Sequence, residues 1–150
     1  MARPALKSKA AAQEAGYTLD DQVGFVLRQV QQRHTLIFAN RIGHDLTPTQ
    51  WAALAKLFEA GACSQNLLGR LTAMDAATIK GVVDRLVRRK LAGTCPDPVN
   101  RRRRLVDLTP AGRELVGHLI PCANQITGET LAPLSAGERE TFLTLLKKMR

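Results

Sequence analysis

Eight basic side chains, Arg85, Arg88, Arg89, Lys90, Arg101, Arg102, Arg103 and Arg104, fall within residues 85–104 against one acid, Asp97. That stretch carries a net +7 of the chain's +9. Charge at this density is chemistry for holding a polyanion, phosphate above all, because each guanidinium presents several donors in a fixed fork. A scattered basic coat would describe only a solvated surface, whereas a patch points to an acidic partner. The four consecutive arginines follow Gly93-Thr94-Cys95-Pro96-Asp97-Pro98-Val99-Asn100, which is rich in turn formers. That order reads as a hairpin tipped with arginine, a shape suited to a narrow groove of negative potential. Asp97 is expected to support the tip by pairing with Arg101.

Other chemistries are poorly supplied. Cys63, Cys95 and Cys122 are odd in number and widely spaced, and His34, His44 and His118 form no ligand cluster with them. No metal site, disulfide framework or cofactor is expected. A thiol and imidazole pair has no flanking motif here, so no catalytic residue is assigned and the chain does not read as an enzyme. Residues 1–15 alternate Ala with Lys and Arg without a continuous apolar segment, and no run approaches about 18 apolar residues. No membrane partner is expected, and the cytoplasm is the expected compartment.

The elements that must position the basic patch follow from the apolar spacing. Residues 1–18 read as a flexible arm and 19–150 as one domain, mainly α with a small β-hairpin. Val23, Val26, Leu27, Val30, His34, Ile37 and Phe38 recur at helical steps and predict a first helix over about 20–42. Thr47-Pro48-Thr49-Gln50 is a capping box with proline in the first turn, opening a second helix with Trp51, Leu54, Leu57 and Phe58 inward up to Gly61. Ser64 caps a short third helix through Leu67, Leu68 and Leu71. After a tight turn, Thr72-Ala73-Met74, Asp75 caps a fourth with Ile79, Val82, Val83, Leu86 and Val87 as its stripe. The returning hairpin strand is Arg103 to Leu108. Thr109-Pro110 opens a fifth helix that Pro121 is expected to bend or break, and Ser135 with Glu138 opens a last one through Phe142, Leu145, Leu146 and Met149.

Two helices joined by a tight turn and followed by a basic hairpin make a winged helix-turn-helix, whose second helix can enter the major groove of double-stranded DNA. With the stripe inward, Ala77, Gly81, Asp84 and Arg88 face out, flanked by Thr78, Lys80 and Arg85. Gly81 costs roughly 1 kcal/mol against Ala in a helix interior, a cost that close approach to DNA would explain.

Asp97-Pro98-Val99-Asn100-Arg101-Arg102 followed by Leu108-Thr109-Pro110-Ala111-Gly112-Arg113 resembles the wing signature of the MarR family, the multiple-antibiotic-resistance regulators. Asp75 to Lys80 and Val83 to Leu91 are similar to that family's recognition helix. Asn100 stands where the family usually has Asp, and Lys80 where Ser is common. The resemblance spans about residues 20–150 and implies a winged domain over about 46–109, with dimerisation helices over about 20–42 and 110–150. It implies a homodimer reading a pseudo-palindromic operator, repression as the default role, and release by a small aromatic carboxylate. The DNA-binding candidates are Ser64, Gln65, Ala77, Thr78, Lys80, Gly81, Arg85, Arg88, Arg101, Arg102 and Arg103. The ligand candidates are His34, the polar position in an apolar stripe, with Phe38, His44 and Trp51. An architectural DNA-binding protein without effector, or a cysteine redox sensor, are the alternative readings.

Overall fold

Polar side chains placed one residue ahead of the apolar stripes decide where five of the helices begin. The computed structural model describes residues 16–43 and 45–150, so the expected arm before residue 16 and His44 lie outside the described residues. Thr47 Oγ1 accepts the Gln50 amide at 3.2 Å, while Gln50 Oε1 accepts the Thr47 amide at 3.3 Å. This box opens α2 (Pro48–Ala60). Ser64 Oγ accepts the Leu67 amide and opens α3 (Gln65–Leu71), and Asp75 Oδ1 accepts the Thr78 amide at 2.7 Å and opens α4 (Ala76–Arg88). Thr109 and the Ser135/Glu138 box do the same for α5 (Pro110–Thr130) and α6 (Ala136–Lys148). Each such cap satisfies amides that have no partner inside the helix, a contribution of about 1 kcal/mol apiece.

The first helix, α1, is Val23–Ile42. It starts later than the spacing suggests, because Leu19–Asp21 closes a separate 3-10 turn and Gln22 is extended, at φ −83° and ψ 125°. Two compact units, residues 1–36 and 37–150, divide the chain within α1. In the first, Val23, Val26, Leu27 and Val30 are all exposed, Val23 at 67%. In the second, α2, α3, α4 and the hairpin enclose a core in which Leu54, Leu57, Leu68, Ile79, Val82 and Leu86 are almost wholly buried. β1 (Ala92–Pro96) and β2 (Arg104–Leu108) pair antiparallel, with Ala92 opposite Leu108 and Pro96 opposite Arg104. Gly93 to Pro96, expected as turn, therefore belongs to the outgoing strand. Among the described residues no helix is long and apolar enough to cross a membrane.

Both ends of the helix-turn-helix close in the same way. After α3, the Met74 amide bonds the Gly69 carbonyl at 2.9 Å and Ala73 sits at φ 53°. After α4, the Leu91 amide bonds the Leu86 carbonyl at 2.9 Å, the Lys90 amide bonds Val87, and Lys90 sits at φ 58°. These are Schellman closures, which usually place glycine at the left-handed position; alanine and lysine occupy it here at a steric cost.

The hairpin is anchored at its base by α5. Thr109 donates its amide to the Leu91 carbonyl at 3.1 Å and its hydroxyl to the Lys90 carbonyl at 2.7 Å, while its oxygen accepts the Gly112 amide at 3.0 Å. Gly112 is packed so closely that a Cβ there would stand 1.9 Å from the Leu91 carbonyl oxygen.

Some inward assignments change. Phe58, Leu71 and Val87 are exposed at 37%, 44% and 39%. Each lies at the rim of its helix's buried stripe; α4, for example, buries Ile79, Val82, Val83 and Leu86, and the next residue turns about 100° away. Of the apolar edge expected on α6, Leu145 and Met149 are exposed. Pro121 neither ends nor divides α5, which runs 21 residues. The carbonyl left without its N–H belongs to Gly117, an exposed residue.

Two substitutions test these constraints by urea unfolding. Gly112→Ala should cost at least about 3 kcal/mol through the clash with Leu91. Ala73→Gly should instead stabilise by roughly 0.5–1 kcal/mol by relieving the left-handed position. Equal midpoints for Gly112→Ala and wild type would refute the first assignment.

Candidate nucleic-acid interface

The outer face of α4 is set by its buried one. With Ile79, Val82, Val83 and Leu86 in the core, Ala77, Thr78, Lys80, Arg85 and Arg88 are exposed and Gly81 is half-buried. A Cβ on Gly81 would meet only the Arg85 guanidinium, at 3.9 Å. Nothing among the described residues therefore requires glycine there, and the small surface is available for close approach by a partner. Lys80 Nζ pairs with Asp84 at 2.7 Å, a solvated bridge worth little and easily exchanged for another acceptor. Thr78 Oγ1 donates to Asp75 Oδ2 at 3.0 Å, so the threonine hydroxyl is oriented by the cap.

That cap alters the carboxyl itself. The Thr78 amide and then the Thr78 hydroxyl hold Asp75 below the usual aspartate range, because both donate to the ionised form.

The wing is braced for reasons the sequence shows only partly. Asp97 partners Arg103, at 3.9 Å, and not Arg101 as expected. The tip turns back on itself, the Asp97 amide bonding the Arg103 carbonyl at 2.9 Å, which brings residues 97 and 103 across the neck while Arg101 stays at the exposed tip. Arg103 Nη2 also donates to Ser64 Oγ at 3.0 Å, linking the wing to the start of α3. Arg104 Nη2 donates to Thr94 Oγ1 at 2.8 Å across the ladder. Cys63 adds a backbone bridge, its amide to the Val106 carbonyl at 3.1 Å and its carbonyl accepting the Val106 amide at 2.8 Å. Burial, and then the charge of Asp107, push the Cys63 thiol up, which is the opposite of an activated thiolate.

Ser64, Gln65, Asn66, Arg70, Arg103 and Arg104 line a polar crevice of about 410 Å³ where α3 meets the wing. Asn66, Arg70 and Arg104 are not among the contacts expected from sequence. The i,i+4 spacing of Asn66 with Arg70 is the available signal, but it needs the wing's position to acquire meaning. Arg85, Arg88 and Arg89 line a second hollow of about 390 Å³ with Asp45 and Gln50. Its placement separates Arg88 from the crevice shared by Ser64 and Arg103. Among the described ligand candidates, His34, Phe38 and Trp51 line neither hollow. His34 is half-buried in the first unit; in the second, Phe38 is a core side chain and Trp51 is half-buried against that core. Among the described residues no cluster could hold a metal ion. Exposed guanidinium groups on a braced hairpin, beside a helix with a small outer face, can bind a duplex: the arginines through phosphate and groove potential, the helix through base edges.

Residues 44–103 match the MarR family. The chain is 41% identical to the HTH-type transcriptional repressor NicR of Pseudomonas putida, over 99% of this chain and 95% of that one. It is 44% identical to Bordetella bronchiseptica BpsR, in a structure concerned with regulation of DNA binding by 6-hydroxynicotinic acid, with a TM-score of 0.84 over 89% of this chain and 96% of that one. PcaV of Streptomyces coelicolor, solved in complex with its natural ligand, is 31% identical with a TM-score of 0.83, over 89% and 94%.

The depressed Asp75 carboxyl sets a sign for pH. Its stabilisation of α4 is complete above the ordinary aspartate pKa of about 3.9 and is lost as pH falls through the lower folded value. Asp75→Asn keeps a cap that does not titrate. Its deficit in Tm against wild type should therefore shrink between about pH 6 and pH 3; a constant deficit would remove the cap from the account.

The wing and helix should also fail differently. Arg101→Ala should weaken binding to duplexes of any sequence and lower the salt slope by about 1. Lys80→Ala should leave that slope nearly unchanged and shift which sequences are selected from a random pool. An Arg101→Ala protein with the wild-type salt dependence would take the wing out of the interface.

Proposed function

The chain belongs to the MarR family of transcriptional regulators, and from that premise we propose that it is a homodimeric repressor that binds a pseudo-palindromic operator and leaves it when a small aromatic carboxylate binds. The observation that carries the reading is the braced, arginine-tipped wing held to the same core as α4. One body thereby presents a groove-reading helix and a backbone-tracking hairpin together. Ser64, Gln65, Ala77, Thr78, Lys80, Gly81, Arg85, Arg88, Arg101, Arg102 and Arg103 remain its DNA-binding set. Within that set Arg103 also braces the wing.

A dimer is supported by the apolar residues exposed on α1, Val23, Val26, Leu27 and Val30, and by Leu143 and Leu145 on α6 with Met149 just after it. Burying such surface against a second copy gains roughly 25 cal/mol per Å². Two copies related by a two-fold axis would place half-sites about 10 bp apart.

Resemblance to BpsR supports a hydroxylated pyridine carboxylate as the effector, and resemblance to NicR supports repression. His34 is our candidate to donate to the carboxylate, with Phe38, His44 and Trp51 as the further proposed contacts. An effector can release DNA only as far as it prefers the non-binding conformation, typically by about 1 to 3 kcal/mol.

Fluorescence anisotropy on an in vitro-selected operator, with 6-hydroxynicotinic acid added, tests this. Wild type should bind as a dimer and be released, its apparent affinity falling by roughly 5- to 150-fold. His34→Ala should keep its DNA affinity and lose that response. A His34→Ala protein released like wild type would place the effector contact elsewhere, and a wild type that ignores the whole class of aromatic carboxylates would remove ligand control.

A further inference from the structure

An almost wholly exposed residue near the tip of the wing is apolar. Val99 is 96% exposed, flanked by Pro98 and Asn100 and followed by four arginines. An isolated surface valine needs no explanation, but this one stands near the end of a positively charged hairpin whose turn is held by three backbone amides. The Val99 amide donates to Asp97 Oδ1 at 2.9 Å, the Arg102 amide to Asn100 Oδ1 at 3.2 Å and the Arg103 amide to the Asn100 carbonyl at 2.8 Å. These three amides, satisfied within the tip, do not have to be stripped of water when it enters a groove, so at positions 99, 102 and 103 the groove meets side chains. Pro98 adds no donor at all.

We propose that Val99 is a specificity-determining residue of the wing, packing its methyl groups against the floor and sugar walls of the DNA minor groove at A·T pairs. This rests on the DNA-binding reading above. Charge selects the occupant: the arginines beside Val99 favour a polyanion and would repel a basic partner. The minor groove is the complementary one because A·T pairs present only N3 and O2 acceptors there, leaving the floor free of projecting groups. Guanine adds its 2-amino group at that place. The amino group meets the valine methyls with an unpaired donor and stands in their space. Other minor-groove proteins set apolar side chains against base steps beside arginines in the same division of labour. Arg101 and Arg102 thus supply attraction, and Val99 supplies discrimination that charge cannot.

The experiment uses the full-length protein and one in vitro-selected duplex made in three forms. Minor-groove footprinting locates the pairs under the wing, and these are built as A·T, as G·C, or as inosine·C, which keeps the G·C major groove but lacks the 2-amino group. Wild type should bind the A·T and inosine forms more tightly than the G·C form, by about fivefold or more. Val99→Ala should bring that ratio close to one. Val99→Ile should preserve it, which a purely structural role for residue 99 would not require. Arg101→Ala should weaken all three complexes and leave the ratio in place. A Val99→Ala protein with the wild-type ratio overturns the proposal. So does a wild type that binds the G·C and inosine forms equally. A wild type that binds none of the duplexes fails instead at the DNA-binding reading on which this one stands.

Discussion

One carbonyl group ties α4, the wing and the helix that follows. The Leu91 oxygen accepts the Thr109 amide and lies against Gly112, where no side-chain atom fits. Leu91 itself ends the closure of α4, and Ala92 begins β1 opposite Leu108. The contact therefore fixes the end of α4, both strand ends at the base of the hairpin, and the first turn of α5 within a few residues. Thr109 completes it by serving three backbone groups with one amide and one hydroxyl. A threonine and a glycine two residues beyond a proline are small enough, and suitably donating, to let the three elements converge without leaving a buried amide unpaired.

From that base outward, stiffness is supplied by polar side chains acting on backbone groups. Asp97 and Asn100 organise the tip, Arg103 runs back to Ser64, and Cys63 lends β2 a second backbone partner through Val106. This has a consequence for function. A flexible basic hairpin would lose ordering entropy each time it bound, whereas a braced one has met that cost in folding. The same principle governs α4, where Asp75 serves the Thr78 amide and hydroxyl together, so its first turn is held by its own carboxylate.

Local features are legible in the amino-acid sequence. Thr47, Ser64, Asp75, Thr109 and Ser135 each cap the helix they are expected to cap, because capping acts over three residues and is written in a short window. The stripe Ile79, Val82, Val83 and Leu86 is equally plain, since one helical period determines it. Asp97 supports the wing as its position suggests, but through Arg103 in place of Arg101. Both arginines stand within reach along the chain, and only the turn's geometry chooses between them.

The amino-acid sequence by itself determined the helices, the capped starts of α2 to α6, the turn between α3 and α4, and the concentration of arginine on a hairpin. Each of these depends on neighbours a few residues away. Tertiary structure alone decided that Gly112 seats against Leu91, that Arg103 reaches Ser64, 39 positions away, and that Cys63 joins the wing. It also decided which apolar residues stay at the surface: Phe58 and Val87 match their stripes by type, yet whether they are covered depends on what packs against the edge of the helix. Such contacts join residues that no periodicity relates, and their energies exist only once the chain has closed the loops between them.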